Sequence, residues 1–139
     1  MEVRIYTNGL YDYKSNIGGW GTVLVYGSKT KELYGTVNNS TQNIACLTGL
    51  LEGLRSLKKE NLSLRILCFS TSVISPLQNM NRLLKRLQRE EDANLSLWKE
   101  IVPLLEKHSF TAEWLTKDSL EAFSIKSITL AKNYKNGNK

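Results

Sequence analysis

Val3, Ile5 and Thr7 alternate with Arg4, Tyr6 and Asn8, the period of a β-strand with one buried face. The pair Asn8-Gly9 interrupts the alternation and predicts the strand's tip there, with the Asn8 amide hydrogen-bonding the turn that it begins. Residues 11–21 read as a loop in which Gly18, Gly19 and Gly21 free the backbone for a tight turn. The β-branched and aromatic run over 20–27 predicts a second strand, and residues 32–37 predict a third returning beside it. The polar junction 38–41 offers Ser40 or Thr41 as a helix N-cap.

From Gln42 to Lys58 the period becomes helical, with Leu47, Leu50, Leu51, Leu54 and Leu57 on one stripe. Beside it lies a face of small residues, Cys46, Gly49 and Gly53. Glycine inside a helix costs about 1 kcal/mol against alanine, which predicts close approach of another element as compensation. The almost uniformly apolar run 62–69 predicts a central fourth strand. Ser70, Thr71 and Ser72 follow as capping hydroxyls, with Pro76 in the first turn of a short helix. Amphipathic helices are expected over 79–89 and 94–108, the latter kinked at Pro103. A fifth strand is expected over 110–115 and a closing helix over 119–133. Three strands with short connections form an antiparallel meander, and two later strands reached through helices lie parallel to the first. The expected architecture is α/β: a mixed five-stranded sheet with helices packed on it. Trp20, Trp98 and Trp114 fall in apolar patterns and are expected in the core.

Length, charge and cysteine usage narrow this picture. The 139 residues suit one domain, taken as 1–134 with a flexible basic tail over 135–139. No apolar run approaches the roughly 20 residues that span a bilayer, so no membrane partner is expected. The start lacks the basic-then-apolar order of a signal peptide, and Cys46 and Cys68 form no CxxC pair. Both are expected as buried free thiols, which suits a reducing cytoplasm. A net charge of +6 favours a polyanionic partner, nucleic acid above all.

Several local motifs bear on that partner. Thr7-Asn8-Gly9 leads into Gly-Gly-Trp-Gly at 18–21; Gln-Asn-Ile-Ala-Cys-Leu opens the first helix at 42–47; Cys-Phe-Ser-Thr-Ser ends the fourth strand at 68–72. Ser-Leu-Trp at 96–98, Ala-Glu-Trp-Leu at 112–115 and Ile-Thr-Leu-Ala at 128–131 follow in order. In this sequence of motifs, over nearly the whole chain, the protein resembles type 1 ribonuclease H. That family shows Thr-Asp-Gly, Gly-Gly-[Tyr/Trp]-Gly, Asn-Asn-x-x-Glu-Leu, Ser-Thr-Asp-Ser, Asp-Leu-Trp, Trp-x-Trp-Val and Asp-x-Leu-Ala at the corresponding places. The resemblance implies a ribonuclease H-like fold. It also implies an activity, cutting the RNA strand of RNA–DNA hybrids with two Mg²⁺ ions held by four carboxylates.

Carried over position by position, the four carboxylates fall on Asn8, Cys46, Ser70 and Ile128: an amide, a thiol, a hydroxyl and a hydrocarbon. The loop histidine of the family falls near Asp118, whereas the chain's one histidine, His108, lies in another helix. Glu52, Glu113, Asp118 and Glu121 point to other faces or edges. The resemblance with these replacements implies a pseudoenzyme with its Mg²⁺ site lost and no other cofactor. The four positions are expected to converge, with Cβ atoms within roughly 10 Å of one another.

For nucleic acid, Arg82, Lys85, Arg86 and Arg89 form one basic stripe where the family carries a basic protrusion, offset in part by Glu90, Glu91 and Asp92. Gln42 and Asn43 align with a polar pair that the family turns to the minor groove, and helix capping is the competing role. Lys14 and Asn16 are loop candidates for phosphate contact. Two readings lead: an inactive domain that still binds RNA–DNA hybrid or duplex, and a structural or protein-interaction domain. An active nuclease with a relocated metal site stands behind both.

Overall fold

In the computed structural model, residues 2–89, 91–116 and 121–135 are described. The strands are β1 (Glu2–Asp12), β2 (Ile17–Tyr26), β3 (Lys29–Asn38), β4 (Ser63–Cys68) and β5 (Ser109–Trp114). The helices are α1 (Gln42–Arg55), α2 (Thr71–Gln78), α3 (Met80–Arg89), α4 (Ala93–Leu105) and α5 (Ala122–Ala131). The sheet order is β3-β2-β1-β4-β5. β1–β2 and β2–β3 pair antiparallel, and β1–β4 and β4–β5 pair parallel, so the mixed sheet is as expected. Among the described residues no helix is long and apolar enough to cross a membrane.

β1 does not end at Asn8-Gly9. It runs on to Asp12, with Asn8 opposite Gly21 and Gly9 opposite Trp20. Gly18, Gly19 and Gly21 accordingly lie inside β2, not in a loop. Their role is space. A Cβ on Gly19 would collide with Ala131 O, and one on Gly21 with Ser127 O, both backbone atoms of α5. That helix therefore lies flush on the strand, closer than side chains normally permit.

On the opposite face the small residues of α1 do the same work, as the sequence predicts. A Cβ on Gly49 would press on Thr7 Oγ1 and Thr22 Oγ1. Thr22 Oγ1 in turn donates to Gly49 O at 2.8 Å and lies 3.0 Å from Thr7 Oγ1. Thr41, not Ser40, caps α1 by accepting from Ile44 N at 3.1 Å. The helix stops at Arg55, three residues short of the expected end, and Leu57 packs on the core from outside it.

Two cores flank the sheet. The larger joins Ile5, Leu50, Ile66, Val73, Trp98 and Ile101 under α1, α2 and α4; the smaller joins Tyr6, Val23, Val25, Leu67 and Leu115 beneath α5. β4 is interior, as its composition predicts, but β1 holds the middle place. Pro76 sits in the last turn of α2 rather than the first. Trp114 is not core: it is 54% exposed, because β5 is an edge strand, and its indole N–H donates to Phe69 O at 2.8 Å. The closing helix is shorter than expected, and a 3-10 turn over Lys132–Lys135 follows it. There the Asn133 amide donates to Gly35 O at 2.8 Å and Leu130 O at 3.0 Å, so Asn133 ties the chain's end to the sheet. Of the expected tail, residues 136–139 lie outside the described residues.

Replacing Gly21 by alanine should destabilise the protein by about 2–3 kcal/mol, because the obstructing atoms are backbone. Gly27→Ala, where φ is +61° and nothing lies within 4 Å, should cost only about 1 kcal/mol of backbone strain. Denaturant midpoints of the two variants check the ranking.

Candidate functional site

Alternation along β1 sends Thr7 and Gly9 towards α1 and Asn8 towards α5. Asn8 is 4% exposed and both ends of its amide are engaged. Its oxygen accepts from Phe69 N at 3.0 Å and lies 3.6 Å from Cys68 Sγ. Its nitrogen donates to Ser127 Oγ at 2.8 Å. The Ser127 hydroxyl donates onward to Ser124 O at 2.7 Å. The chain of bonds has one direction. A backbone N–H can only donate, so Oδ1 must face Phe69, which leaves the NH₂ for a hydroxyl whose own proton is used. Asn8 is thus a buried joint between β1, the end of β4 and α5, not a residue capping its own turn.

The other three positions lie on α1, at the start of α2 and on α5. Cys46 lies against β1 from the other face, its thiol 3.9 Å from Gly9 O. Ser70 follows Phe69 at the N-cap of α2, where its hydroxyl makes no capping bond; its N–H meets Cys68 Sγ at 3.4 Å. Ile128 follows Ser127 on α5 and is half-buried. Cys46 and Cys68 are both buried and unpaired by disulfide, as expected. The thiol of Cys46 beside it, together with burial, holds the Cys68 pKa well above the ordinary thiol range, so Cys68 is an S–H donor.

The alternative acids are engaged elsewhere. Glu113 meets Arg65 through two hydrogen bonds of 2.8 Å, and that guanidinium lowers the Glu113 pKa. Glu52 pairs with Arg55 at 2.9 Å. Glu121 lies against Tyr6, whose phenol is pushed up to about 12 by burial and by that carboxylate. Asp118 lies outside the described residues. His108 is far from Asn8 in the fold, at the α4–β5 junction, where its Nδ1 accepts from Leu62 N at 3.1 Å. Among the described residues, no three His, Cys, Asp or Glu side chains gather as metal ligands.

The nucleic-acid candidates divide by what already holds them. Arg82, Lys85 and Arg89 are exposed on α3, and among the described residues none meets a carboxylate. Arg86 is half-buried beside Leu83 in a cleft that reaches Ser75 and Asn79. The helix turns Leu83 inward and leaves Leu84 40% exposed, so Leu83 anchors α3. Of the acids beyond α3, Asp92 caps α4 by accepting from Leu95 N, and Glu90 lies outside the described residues. Lys14 is exposed on the β1–β2 turn. Asn16, at φ +59°, accepts from Tyr11 OH at 2.6 Å and donates to Asn39 Oδ1 at 3.1 Å, which binds that turn to the β3–α1 junction. Gln42 is exposed, with a 3.4 Å contact to Gly9 O. Asn43 donates to Asn94 Oδ1 at 2.8 Å, while its own oxygen is buried with no hydrogen-bond partner among the described residues. Neither residue caps α1.

Sequence reasoning missed Phe69, Cys68 and Ser127 as the partners of Asn8, and Ser124 behind Ser127. The one trace they leave is a serine pair three apart on α5, which puts two hydroxyls on one face.

No family model matches the chain. Curated relatives do. The ribonuclease H of Syntrophomonas wolfei is 31% identical over 138 residues, covering 95% of this chain and 94% of that protein. The ribonuclease HI of Neisseria meningitidis serogroup B is 33% identical over 121 residues, 83% of this chain and 82% of that one. Among solved structures, LC9-RNase H1, a type 1 RNase H with the type 2 active-site motif, superposes with a TM-score of 0.83 at 17% identity, over 99% of this chain and 74% of that one. RNase H1 of Halobacterium salinarum gives 0.75 at 17%, over 99% of both chains.

The joint makes a sharp expectation for Asn8→Asp. A carboxylate keeps the Phe69 bond but loses the donor to Ser127, and burial raises its pKa. Stability should fall by several kcal/mol at pH 8. The deficit should shrink as pH drops through the raised folded pKa towards the unfolded value of about 3.9, where both states are neutral. Thermal melts across pH check this; a variant as stable as the parent at pH 8 would contradict the account.

Proposed function

The chain belongs to the type 1 ribonuclease H family, and from that premise we propose that it is a catalytically inactive member that binds RNA–DNA hybrid or double-stranded nucleic acid without cutting it. The observation that carries the reading is the engaged amide of Asn8. Two divalent ions about 3.5–4 Å apart repel each other, and anionic oxygens must offset that repulsion while fixing an in-line geometry. Mg²⁺ requires hard oxygen donors in a near-octahedral shell. The donor set here is an amide already bonded at both ends, a buried thiol, a hydroxyl and a hydrocarbon. It does not fit Mg²⁺.

Binding does not need those carboxylates. Phosphate contacts supply most of the sequence-independent affinity for nucleic acid, and they come from cations on the protein surface. Arg82, Lys85 and Arg89 stand exposed one helical turn apart, with Arg86 on the flank nearest the core. Lys14 is exposed on the β1–β2 turn and Gln42 at the start of α1. Asn16 and Asn43 brace those two places, since their amides hold neighbouring elements.

Cleavage of an RNA–DNA hybrid with Mg²⁺ or Mn²⁺ should stay at background, and Asn8→Asp alone should not restore it, because three positions remain without charge. A gel assay with labelled hybrid checks this; metal-dependent turnover by the parent chain would overturn the reading. Hybrid binding at low salt should weaken as salt rises. If Arg82, Lys85 and Arg89 each neutralise one phosphate, the log–log slope should be about −3 on the duplex relation. Arg82→Glu with Lys85→Glu should flatten the slope by about 2 and weaken all sequences alike. Both side chains are exposed, so the fold should survive.

A further inference from the structure

α2 and α3 meet at Asn79, which closes α2 by donating its N–H to Pro76 O at 3.1 Å. The same residue opens α3 by accepting from Arg82 N and Leu83 N, both at 3.1 Å. A cleft of about 300 Å³ lies at this joint, lined by Ser75, Pro76, Asn79, Arg82, Leu83 and Arg86. Pro76 and Leu83 supply its apolar part. The other four lining side chains are hydrogen-bond donors, and none is acidic.

Ser75 is exposed, on the side of α2 away from the core residues Val73, Ile74 and Leu77. Its carbonyl accepts from the Asn79 amide at 3.3 Å, but among the described residues its hydroxyl has no hydrogen-bond partner. Arg82 is exposed and meets no carboxylate among the described residues. Arg86, one turn further along the same face of α3, is half-buried in the cleft. An idle hydroxyl thus stands at a cleft whose other polar walls are an amide and two guanidinium groups. Ser96 is equally exposed, but its hydroxyl donates to Asp92 O at 3.1 Å.

The chain around that hydroxyl supplies an independent observation. Ser75 is followed by Pro76, whereas the other proline, Pro103, follows Val102, so Ser75 is the one serine or threonine that precedes a proline. Pro76 has no N–H for the Ser72 carbonyl four residues back, and its ring crowds that carbonyl. The residue before a proline is itself disfavoured in helical backbone. A helix of eight residues has little stability apart from its packing. The last turn of α2 is therefore the part that opens most readily, and a kinase that takes its substrate in extended form needs such an opening.

We propose that Ser75 is a phosphorylation site for a proline-directed serine kinase, and that its phosphate closes the α2–α3 cleft onto Arg82 and Arg86. In the transfer, Ser75 Oγ bonds to the γ-phosphorus of ATP, the bond from that phosphorus to the ADP oxygen breaks, and the hydroxyl proton passes to the kinase's base. The product carries a charge of about −1.5 to −2 and three acceptor oxygens. Guanidinium groups engage such oxygens two at a time. The second hydrogen of the Asn79 amide is available to the same group. The effect on function rests on the nucleic-acid reading of α3: a phosphate held by Arg82 and Arg86 takes two cations out of the basic stripe and leaves Lys85 and Arg89.

Three measurements test this. The full chain is first incubated with ATP and a panel of proline-directed kinases and mapped by peptide mass. One phosphate is expected, on Ser75, and Pro76→Ala should slow its addition at least about tenfold. No phosphate on Ser75, or equal rates with and without the proline, overturns the proposal. The full chain is then made with phosphoserine encoded at position 75 and titrated by ³¹P NMR. Its phosphate should titrate below about 5, against about 6 for free phosphoserine. Arg82→Gln with Arg86→Gln should return it to about 6, and the exposed Arg82→Gln alone should move it part of the way. A phosphate that titrates near 6 in the unaltered chain overturns the proposal. Finally, the phosphorylated chain should bind RNA–DNA hybrid at least about tenfold more weakly at low salt, with a log–log slope flatter by about 1, the share of Arg82. Unchanged binding overturns the proposed effect. If the unmodified chain binds no hybrid, the nucleic-acid reading fails while the NMR result still decides whether the phosphate meets the arginines.

Discussion

The seating of α5 on two glycines of β2 sets the geometry of the region around Asn8. Gly19 and Gly21 let the helix backbone rest directly on the sheet, and Asn8, opposite Gly21, bonds the serine that lands there. Because the same amide accepts from Phe69 N, the end of β4 is fixed relative to α5 by one side chain. Three elements distant in sequence thereby share a single joint. On the other face, the threonine–glycine contact between β1, β2 and α1 holds the sheet equally close.

That joint explains why a neutral residue belongs at Asn8. A carboxylate buried to this degree is costly unless a cation or several donors compensate it. Metal ions are one such compensation, and with them the charge at the centre of the sheet is an asset. An amide solves the same packing problem without any ion, because it brings a donor and an acceptor to the two sides that need them. The surrounding thiols and hydroxyls are then ordinary partners for a neutral centre. The Cys68 thiol, kept protonated by its neighbour and by burial, fits that description.

The fold was legible because the period of the hydrophobic residues, the order of elements and the glycine-rich run all survive in the chain. The antiparallel and parallel senses of the strands follow from connection lengths. Local rules failed where tertiary contacts overrode them. Asn8-Gly9 carries the signature of a turn, yet its pairing with Gly21 and Trp20 of β2 holds it in the sheet. The glycines at 18–21 read as flexibility, but their use is to admit a helix more than a hundred residues away. Trp114 follows an apolar pattern that the edge position of β5 leaves uncovered. The resemblance singled out Asn8, but not the bonds that its amide makes. Ser127 stands 119 residues from Asn8, and the serine spacing on α5 does not by itself name Asn8 as its partner.

The two ends of the sheet have separate characters. One gathers neutral groups around Asn8, and the other carries the exposed lysines Lys29, Lys31, Lys58 and Lys59 between the β2–β3 hairpin and the residues after α1. The central claim is that the first is a structural joint rather than a metal centre. The most direct test follows backbone and side-chain amide resonances of ¹⁵N-labelled protein while Mg²⁺ is raised through the millimolar range. The account predicts that the Phe69 amide and the Asn8 side-chain amide do not move. Saturable shifts centred on Asn8, Cys46, Ser70 and Ile128 would contradict it.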